Sequence, residues 1–118
     1  MKVSICITVL NEEKSIRVLI ESILKQSKKP DEVVIVDGGS TDKTVKIIRH
    51  LQKKDRRIKL LEEKCSRSEG RNLAVELAKN DAIIMTDAGC IAKKHWLKRL
   101  AESFKNEEID YSRPDFMK

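Results

Sequence analysis

The chain has few aromatic residues and no long apolar run. Its aromatic side chains are Trp96, Phe104, Tyr111 and Phe116, too few for the exposed stacking platforms that bind single-stranded nucleic acid. We therefore expect no nucleic-acid partner. No stretch approaches the roughly 18 apolar residues of a transmembrane helix, and the apolar stretch at the N-terminus is too short for a signal peptide. We expect a soluble cytoplasmic protein, with peripheral attachment to a membrane as the alternative.

Cysteine and histidine are also scarce. The three cysteines, Cys6, Cys65 and Cys90, are too few and too scattered for a disulfide framework or a CxxC metal site. Cys6 lies inside an apolar run and is expected in the core. His50 and His95 have no ligand partners at metal spacing, and we expect both at the surface.

Basic residues outnumber acidic ones. Lys and Arg number 25 against 19 Asp and Glu, for a net charge of +6, which favours anionic partners such as nucleotides, phosphates or an acidic membrane face. Most of the basic residues have acidic neighbours, so a solvated surface is the default interpretation. The sequence contains no GxxxxGK[ST] motif, no GxGxxG after the first apolar run and no GxSxG. These absences argue against a P-loop, an ordinary dinucleotide site and a serine-hydrolase elbow.

Short β-branched runs alternate with segments of helical spacing along the chain. The pattern predicts strands at 3–9, 33–36, 57–61 and 82–86, and helices after Asn11, after 37–42, at 69–79 and at 96–104. Asn11 is expected to be the N-cap of the first helix, and Leu77 is expected to face inward from the third. The alternation predicts an α/β fold, a parallel sheet with helices on both faces, as a single domain over residues 1–105.

Polar residues follow the predicted strands. Asn11 and Glu12 follow the first strand, Asp37 the second and Asp87 the fourth. Because ligands of open parallel sheets bind beyond the carboxyl ends of the strands, these residues mark a candidate site. Each also has a structural explanation as an ordinary loop residue.

Three features near this edge have chemical potential. In the segment from Asp37 to Asp42, paired glycines allow close approach of the main chain to a ligand. Capping of the next helix by Ser40, Thr41 or Asp42 explains the same segment equally well. Asp87 can share Mg²⁺ with a diphosphate, or simply cap the turn that follows. Arg71 can hold a phosphate or a base carbonyl in bidentate fashion, or pair with a nearby glutamate.

Three segments, VSICITVLNEEKSI, EVVIVDGGSTDKT and EGRNLAVELAKNDAIIMTDAGC, resemble the nucleotide-binding half of family 2 glycosyltransferases. The resemblance covers roughly residues 2–104 and implies a Rossmann-like GT-A nucleotide-diphospho-sugar transferase fold, here truncated. It implies transfer of a sugar from a nucleoside-diphosphate sugar to an acceptor hydroxyl, with Mg²⁺ or Mn²⁺ as cofactor and a saccharide or lipid-linked acceptor. The implied site contains one metal ligand, Asp87, and six nucleotide-sugar-binding residues: Thr8, Asn11, Glu13, Asp37, Ser40 and Arg71.

The sequence departs from the family pattern at two points. Asp37-Gly38 stands where two acidic residues are common, and Asp87-Ala88-Gly89 lacks the second aspartate of a DxD motif. Residues 106–118 are expected to be a poorly ordered tail or the start of a missing acceptor region, and no catalytic base is identified. The alternatives are a non-catalytic nucleotide-sugar-binding or assembly module, for which self-association is left open, and a receiver-type phosphate-binding domain.

Overall fold

The computed structural model describes residues 2–80, 82–88 and 93–106. Strands and helices alternate strictly along the chain, as the sequence predicts. In order, the elements are β1 (Val3–Val9), α1 (Ile16–Leu24), β2 (Glu32–Asp37), α2 (Thr44–Lys54), β3 (Ile58–Glu62), α3 (Arg67–Leu77), β4 (Ala82–Asp87) and α4 (Trp96–Asn106).

The four strands form one parallel sheet in the order β3-β2-β1-β4. β1 and β2 occupy the centre, and all six residues of β2 are buried. A strand buried on both faces must be apolar on both, which is why β2 reads as a continuous run of valine and isoleucine rather than as an alternating pattern. The predicted parallel α/β architecture is confirmed.

Helices cover both faces of the sheet, but unequally. On one face, Ile5 and Ile7 of β1 pack in a large cluster with apolar residues of α1, α2 and α4. On the other, Cys6 of β1 packs with Ala74 of α3 in a smaller cluster. Cys6 is fully buried, as predicted, and this burial, with a smaller contribution from the charge of Glu32, raises the pKa of its thiol to about 12. The two faces follow from the alternation of side chains along β1.

A buried carboxylate, Glu32, ties the amino ends of the strands together. Glu32 is 4% exposed; it accepts hydrogen bonds from the Ser4 hydroxyl (2.6 Å) and the Lys79 N–H, and it pairs with the Lys59 ammonium. Asn80 completes the group, because its backbone N–H and its side-chain amide both donate to the Ser4 hydroxyl oxygen. We call Ser4, Glu32, Lys59, Lys79 and Asn80 the amino-end staple.

Two helix starts differ from the prediction. Asn11 does not cap α1, which begins at Ile16 after a turn in which the Glu12 carbonyl accepts from the Ser15 and Ile16 N–H groups. α3 begins two residues earlier than expected, because the Ser66 side chain accepts from the Glu69 N–H while the Glu69 carboxylate accepts from the Ser66 N–H. This reciprocal capping box satisfies two backbone donors that a helix start leaves open.

One inward-facing residue was predicted wrongly. Leu77 is 44% exposed, because the side of α3 that contacts the sheet runs through Gly70 and Ala74 to the partly buried Ala78, and Leu77 lies beside that line. His50 and His95 are exposed, as expected.

The C-terminal predictions fall partly outside the described residues. α4 extends to Asn106, and residues 107–118 lie outside the described part, so the boundary at 105/106 and the nature of the tail stay predictions. Cys90 also lies outside. Within the described ranges, no helix has the length and apolar character that crossing a membrane requires.

Candidate functional site

The carboxyl ends of β1, β2 and β4 meet at one edge of the sheet. Thr8 of β1 is in register with Val36 on one side and with Asp87 on the other, and Val9 is in register with Asp37. Because neighbouring strands lie roughly 4.8 Å apart, the backbones of Asp37 and Asp87 are separated by about two strand spacings. Both aspartates therefore border the end of β1.

A cleft of about 150 Å³ opens at this edge, between the end of β1 and the start of α3. Eleven of the described residues line it: Thr8, Val9, Leu10, Glu12, Val36, Gly38, Cys65, Ser66, Arg67, Gly70 and Ala88. The cleft is small beside the roughly 300–1,000 Å³ of pockets that enclose drug-sized ligands. It can therefore hold only part of a ligand as large as a nucleotide sugar.

Two glycines let the cleft walls approach closely. A Cβ at Gly70 would lie 3.1 Å from Thr8 Cγ2 and 3.5 Å from Cys65 Sγ, so α3 packs against the end of β1 only because position 70 has no side chain. A Cβ at Gly38 would lie 3.1 Å from the Cys65 carbonyl oxygen. The Cys65 N–H in turn donates to the Gly38 carbonyl at 3.4 Å, which brings the segment before α3 over the cleft.

Asp37 organises the loop that follows β2. It is 2% exposed; its Oδ2 accepts from the N–H groups of Gly39 (3.1 Å) and Ser40 (2.9 Å), and its Oδ1 accepts from the Ser40 hydroxyl. Gly39 has φ 113°, in the region that favours glycine. The carboxylate thus fixes a turn in which the second glycine is required by backbone conformation.

The loops after β1 and β2 are joined by a set of hydrogen bonds that we call the two-loop clasp, formed by residues 11–13 and 40–44. The Asn11 N–H donates to the Ser40 hydroxyl (2.8 Å), and the Thr41 N–H donates to Asn11 Oδ1 (2.8 Å). Glu12 and Glu13 extend the clasp through backbone and carboxylate contacts with the start of α2. Asn11 adopts a left-handed φ of 51°, a conformation that asparagine tolerates better than most residues.

Hydrogen bonding also sets the charge of one clasp residue. Desolvation alone would raise the pKa of Asp42, but hydrogen bonds from the Thr44 hydroxyl, from the Thr44 N–H and from the Glu13 N–H outweigh it and lower that pKa. Asp42 is therefore held as a carboxylate next to the first turn of α2, where a negative charge is favourable.

The structure distributes the predicted binding residues over the cleft, the loops beside it and α3. Thr8 lines the cleft itself, whereas Asn11, Glu13 and Ser40 belong to the two-loop clasp beside it. Arg71 is half-buried on α3 and is engaged in an interaction of its own. Another arginine of α3, Arg67, lines the cleft. Nothing in this placement tests the predicted contacts with a nucleotide sugar, which stay predictions.

The segment that leads into α3, together with its first residue Arg67, is a part of the cleft that sequence reasoning missed. Cys65, Ser66 and Arg67 line it, and burial, followed by the nearby charges of Glu69, Glu63 and Asp37, raises the pKa of the Cys65 thiol. Two signals were available in the sequence. Ser66 and Glu69 have the spacing of a capping box, and Gly70, a glycine inside a helix, usually has a packing reason.

A divalent cation fits this edge only with help from a ligand. Among the described residues no group of three or more His, Cys, Asp and Glu side chains is placed to hold a metal ion. Mg²⁺ commonly takes one or two carboxylates and completes its shell with phosphate oxygens and water. A single aspartate at the end of β4 suits that pattern and does not suit a cage built by protein side chains alone.

The sequence matches the model of the glycosyl transferase family 2 over residues 4–117, and the chain therefore belongs to that family. Among curated proteins it is similar to the glycosyltransferase GlyG of Streptococcus pneumoniae, with 27% identity over 110 residues, which cover 92% of this chain and 36% of GlyG. The chain spans about a third of the length of the curated relatives it matches.

Solved structures agree with this assignment. The structure of S. aureus TarS 1–349 in complex with UDP-GlcNAc is 29% identical, with a TM-score of 0.78, and the match covers 90% of this chain and 32% of TarS. The mannosyltransferase PcManGT from Pyrobaculum calidifontis, solved with GDP-Man and Mn²⁺, is 28% identical, with a TM-score of 0.69, over 76% of this chain and 28% of that one. The predicted GT-A fold is confirmed.

Proposed function

We propose that this chain is the part of a glycosyltransferase that binds the nucleoside diphosphate of a sugar donor in the cleft at the carboxyl ends of β1, β2 and β4. The observation that carries the proposal is the cleft itself. It is walled by the close contact of Gly70 with Thr8 and has Leu10, 54% exposed, on its lining. An exposed leucine in a concave site offers apolar surface that a nucleobase or ribose can cover.

Different parts of the site suit different parts of the ligand. At about 150 Å³ the cleft matches the nucleoside better than the whole donor. Arg67 lines it and supplies a cationic fork suited to a phosphate. The two-loop clasp and the Asp37 turn hold Leu10 and Gly38 in place, so Asn11, Glu13, Asp37 and Ser40 would contribute largely by fixing the loops that border the ligand.

The cofactor belongs to the same proposal. Asp87 would hold Mg²⁺ or Mn²⁺ together with diphosphate oxygens, and the ion would stabilise the charge that develops on the departing nucleoside diphosphate. The relative solved with GDP-Man and Mn²⁺ supports a divalent cation. The relative solved with UDP-GlcNAc supports a nucleotide sugar as ligand.

Calorimetry with UDP, GDP and uridine, each with Mn²⁺ and with EDTA, tests the proposal. We expect a nucleoside diphosphate and the metal to strengthen each other's binding, and uridine to bind equally with and without metal. Asp87→Ala should abolish the metal dependence, and the control Glu76→Ala, on the exposed side of α3, should keep it. Absence of metal-dependent binding of both UDP and GDP at millimolar ligand would overturn the proposal.

Transfer of the sugar to an acceptor hydroxyl is the further step of this proposal. One alternative is a module that binds a nucleotide sugar without transferring it. It is supported by Gly89, which stands where a DxD motif has its second aspartate. Release of UDP from UDP-GlcNAc, with and without saccharide acceptors, distinguishes the two. Product formation that Asp87→Ala removes supports the transferase, and metal-dependent binding without any product supports the module. Cytoplasmic location and self-association stay predictions.

A further inference from the structure

Basic charge is concentrated on one helix. α2 carries four basic side chains, Lys46, Arg49, Lys53 and Lys54, and no acidic one, whereas α3, on the opposite face of the sheet, carries two arginines and two glutamates. The excess of positive charge is therefore uneven over the surface, with a strong local excess where α2 covers the sheet.

The side chains on the outside of α2 form a line. Lys46, Arg49, His50 and Lys53 follow the spacing i, i+3, i+4 and i+7, which places them on one side of the helix along roughly 10 Å. All four are exposed, and they border an open depression that Val45 and Gln52 also line. The opposite side of α2 is buried in the core. We call these four residues the α2 basic stripe.

Little of this charge is neutralised by the residues that the structure describes. Arg49 pairs with Glu62, but both side chains are about half exposed, and such surface pairs are weak. In the part of the chain that the structure describes, Lys46, Lys53 and Lys54 have no carboxylate within ion-pair distance. Their charges are available to an external anion.

We propose that the α2 basic stripe is a docking surface for the anionic headgroups of a lipid bilayer. Each Lys or Arg near an anionic membrane surface contributes about 1 kcal/mol to binding. The stripe supplies Lys46, Arg49 and Lys53, and Lys54 follows in the last turn of the same helix, which has no acidic residue, so α2 attracts such a surface appreciably. A nucleic acid is the less suitable partner, because α2 has no aromatic side chain on which bases would stack.

Docking through α2 leaves the cleft accessible. None of the residues that line the cleft belongs to α2, and the cleft faces the start of α3 on the other side of the sheet. The docking surface is therefore independent of nucleotide binding. It would place the candidate site beside a membrane without covering it.

Vesicle co-sedimentation of the 118-residue chain tests the proposal. The vesicles are phosphatidylcholine alone, or phosphatidylcholine with about a third phosphatidylglycerol, at low and at high salt. The test variant is Lys46→Gln/Lys53→Gln. The matched control, Lys64→Gln/Lys79→Gln, removes the same two charges at exposed positions outside α2, and circular dichroism checks that both variants remain folded.

We expect binding only to the anionic vesicles, with loss of binding at high salt. The test variant should bind about thirtyfold more weakly, since two lysines at about 1 kcal/mol each correspond to that factor, and the control should stay close to the unmodified chain. Equal losses in the two variants, or no preference for anionic vesicles, would overturn the proposal. So would displacement from the vesicles by single-stranded RNA at an equal phosphate concentration, which would point to nucleic acid instead.

Discussion

Glu32→Gln measures how much the amino-end staple contributes to the free energy of unfolding. The substitution keeps the size of the side chain but replaces one carboxylate oxygen by an NH₂ group and removes the charge. The least costly arrangement turns the NH₂ group toward Lys59, whose ammonium is partly exposed and can move into water. The remaining oxygen would still accept from the Ser4 hydroxyl and the Lys79 N–H.

The magnitude follows from these contacts. Hydrogen bonds to a charged acceptor contribute about 1 kcal/mol more than bonds to a neutral one, and two such bonds are weakened. Loss of the Lys59 contact adds a discounted amount because that ammonium is partly solvated. We expect a loss of about 2–3 kcal/mol in the free energy of unfolding. With slopes typical of small proteins in urea, this lowers the unfolding midpoint by about 1–2 M.

The matched control is Glu62→Gln on the neighbouring strand β3. Glu62 pairs with Arg49 at the surface, where both side chains are about half exposed, so the same chemical change should cost no more than about 0.5 kcal/mol. Urea unfolding followed by circular dichroism measures both. Midpoints of the two variants within about 0.3 M of each other would show that burial of Glu32 does not have the energetic effect argued here.

The pH dependence supplies an independent check on Glu32. Burial alone would raise the pKa of Glu32, but hydrogen bonds from Lys59, from Ser4 and from the Lys79 N–H outweigh it and lower that pKa in the folded state. The stabilisation is therefore fully present above the unfolded pKa of about 4.3 and is lost as the pH falls through the lower folded pKa. The difference between Glu32→Gln and the unmodified chain should shrink on acidification, and a difference that stays constant would contradict this assignment.

Three further predictions concern the candidate site. Asn11→Ala should lower the free energy of unfolding in urea by about 2 kcal/mol and Asn11→Gly by about 1 kcal/mol. Both variants lose the hydrogen bond with Thr41, but only alanine is strained at positive φ. Equal losses would refute the contribution of strain. Gly70→Val should weaken UDP binding by forcing α3 away from Thr8, while Ser68→Val, exposed on the same helix, should not; calorimetry compares them. Cys65, in a Cys90→Ser background, should react with iodoacetamide more slowly at neutral pH than a free thiol does, and more slowly still with UDP bound. Mass spectrometry measures both rates. Labelling of Cys65 that UDP leaves unchanged would place the nucleotide elsewhere.

The sheet was predictable because its signals are local. The apolar runs of β1, β2 and β4 and the short connections between elements are sufficient to specify a parallel α/β fold. Even the weaker β3 was found within one residue of its observed limits, Ile58–Glu62. The error at Leu77 came from extending helical periodicity into the last turn of α3, where Ala78 packs against the smaller cluster and Leu77 is 44% exposed.

The candidate site was predictable in position but not in its internal contacts. That Asp37 and Asp87 lie on either side of β1 follows from the parallel topology. The clasp does not follow from it, because Asn11 finds its partners 29 to 31 residues away. A good N-cap residue before a helical pattern has a strong local interpretation, and only the approach of the second loop, which supplies Thr41 and Ser40, overrides it.

The central position of β1 affects how the chain acquires its fold during synthesis. Val3 pairs with Ala82, and Ser4 with both Glu32 and Ile83, so one side of β1 stays unpaired until β4 has left the ribosome. Since a chain is synthesised at about 5–20 residues per second, the interval between the synthesis of β1 and that of β4 lasts several seconds. During it, the edge of an apolar, β-branched strand is open to pairing with other chains. Nascent copies should therefore be most prone to association with one another during this interval.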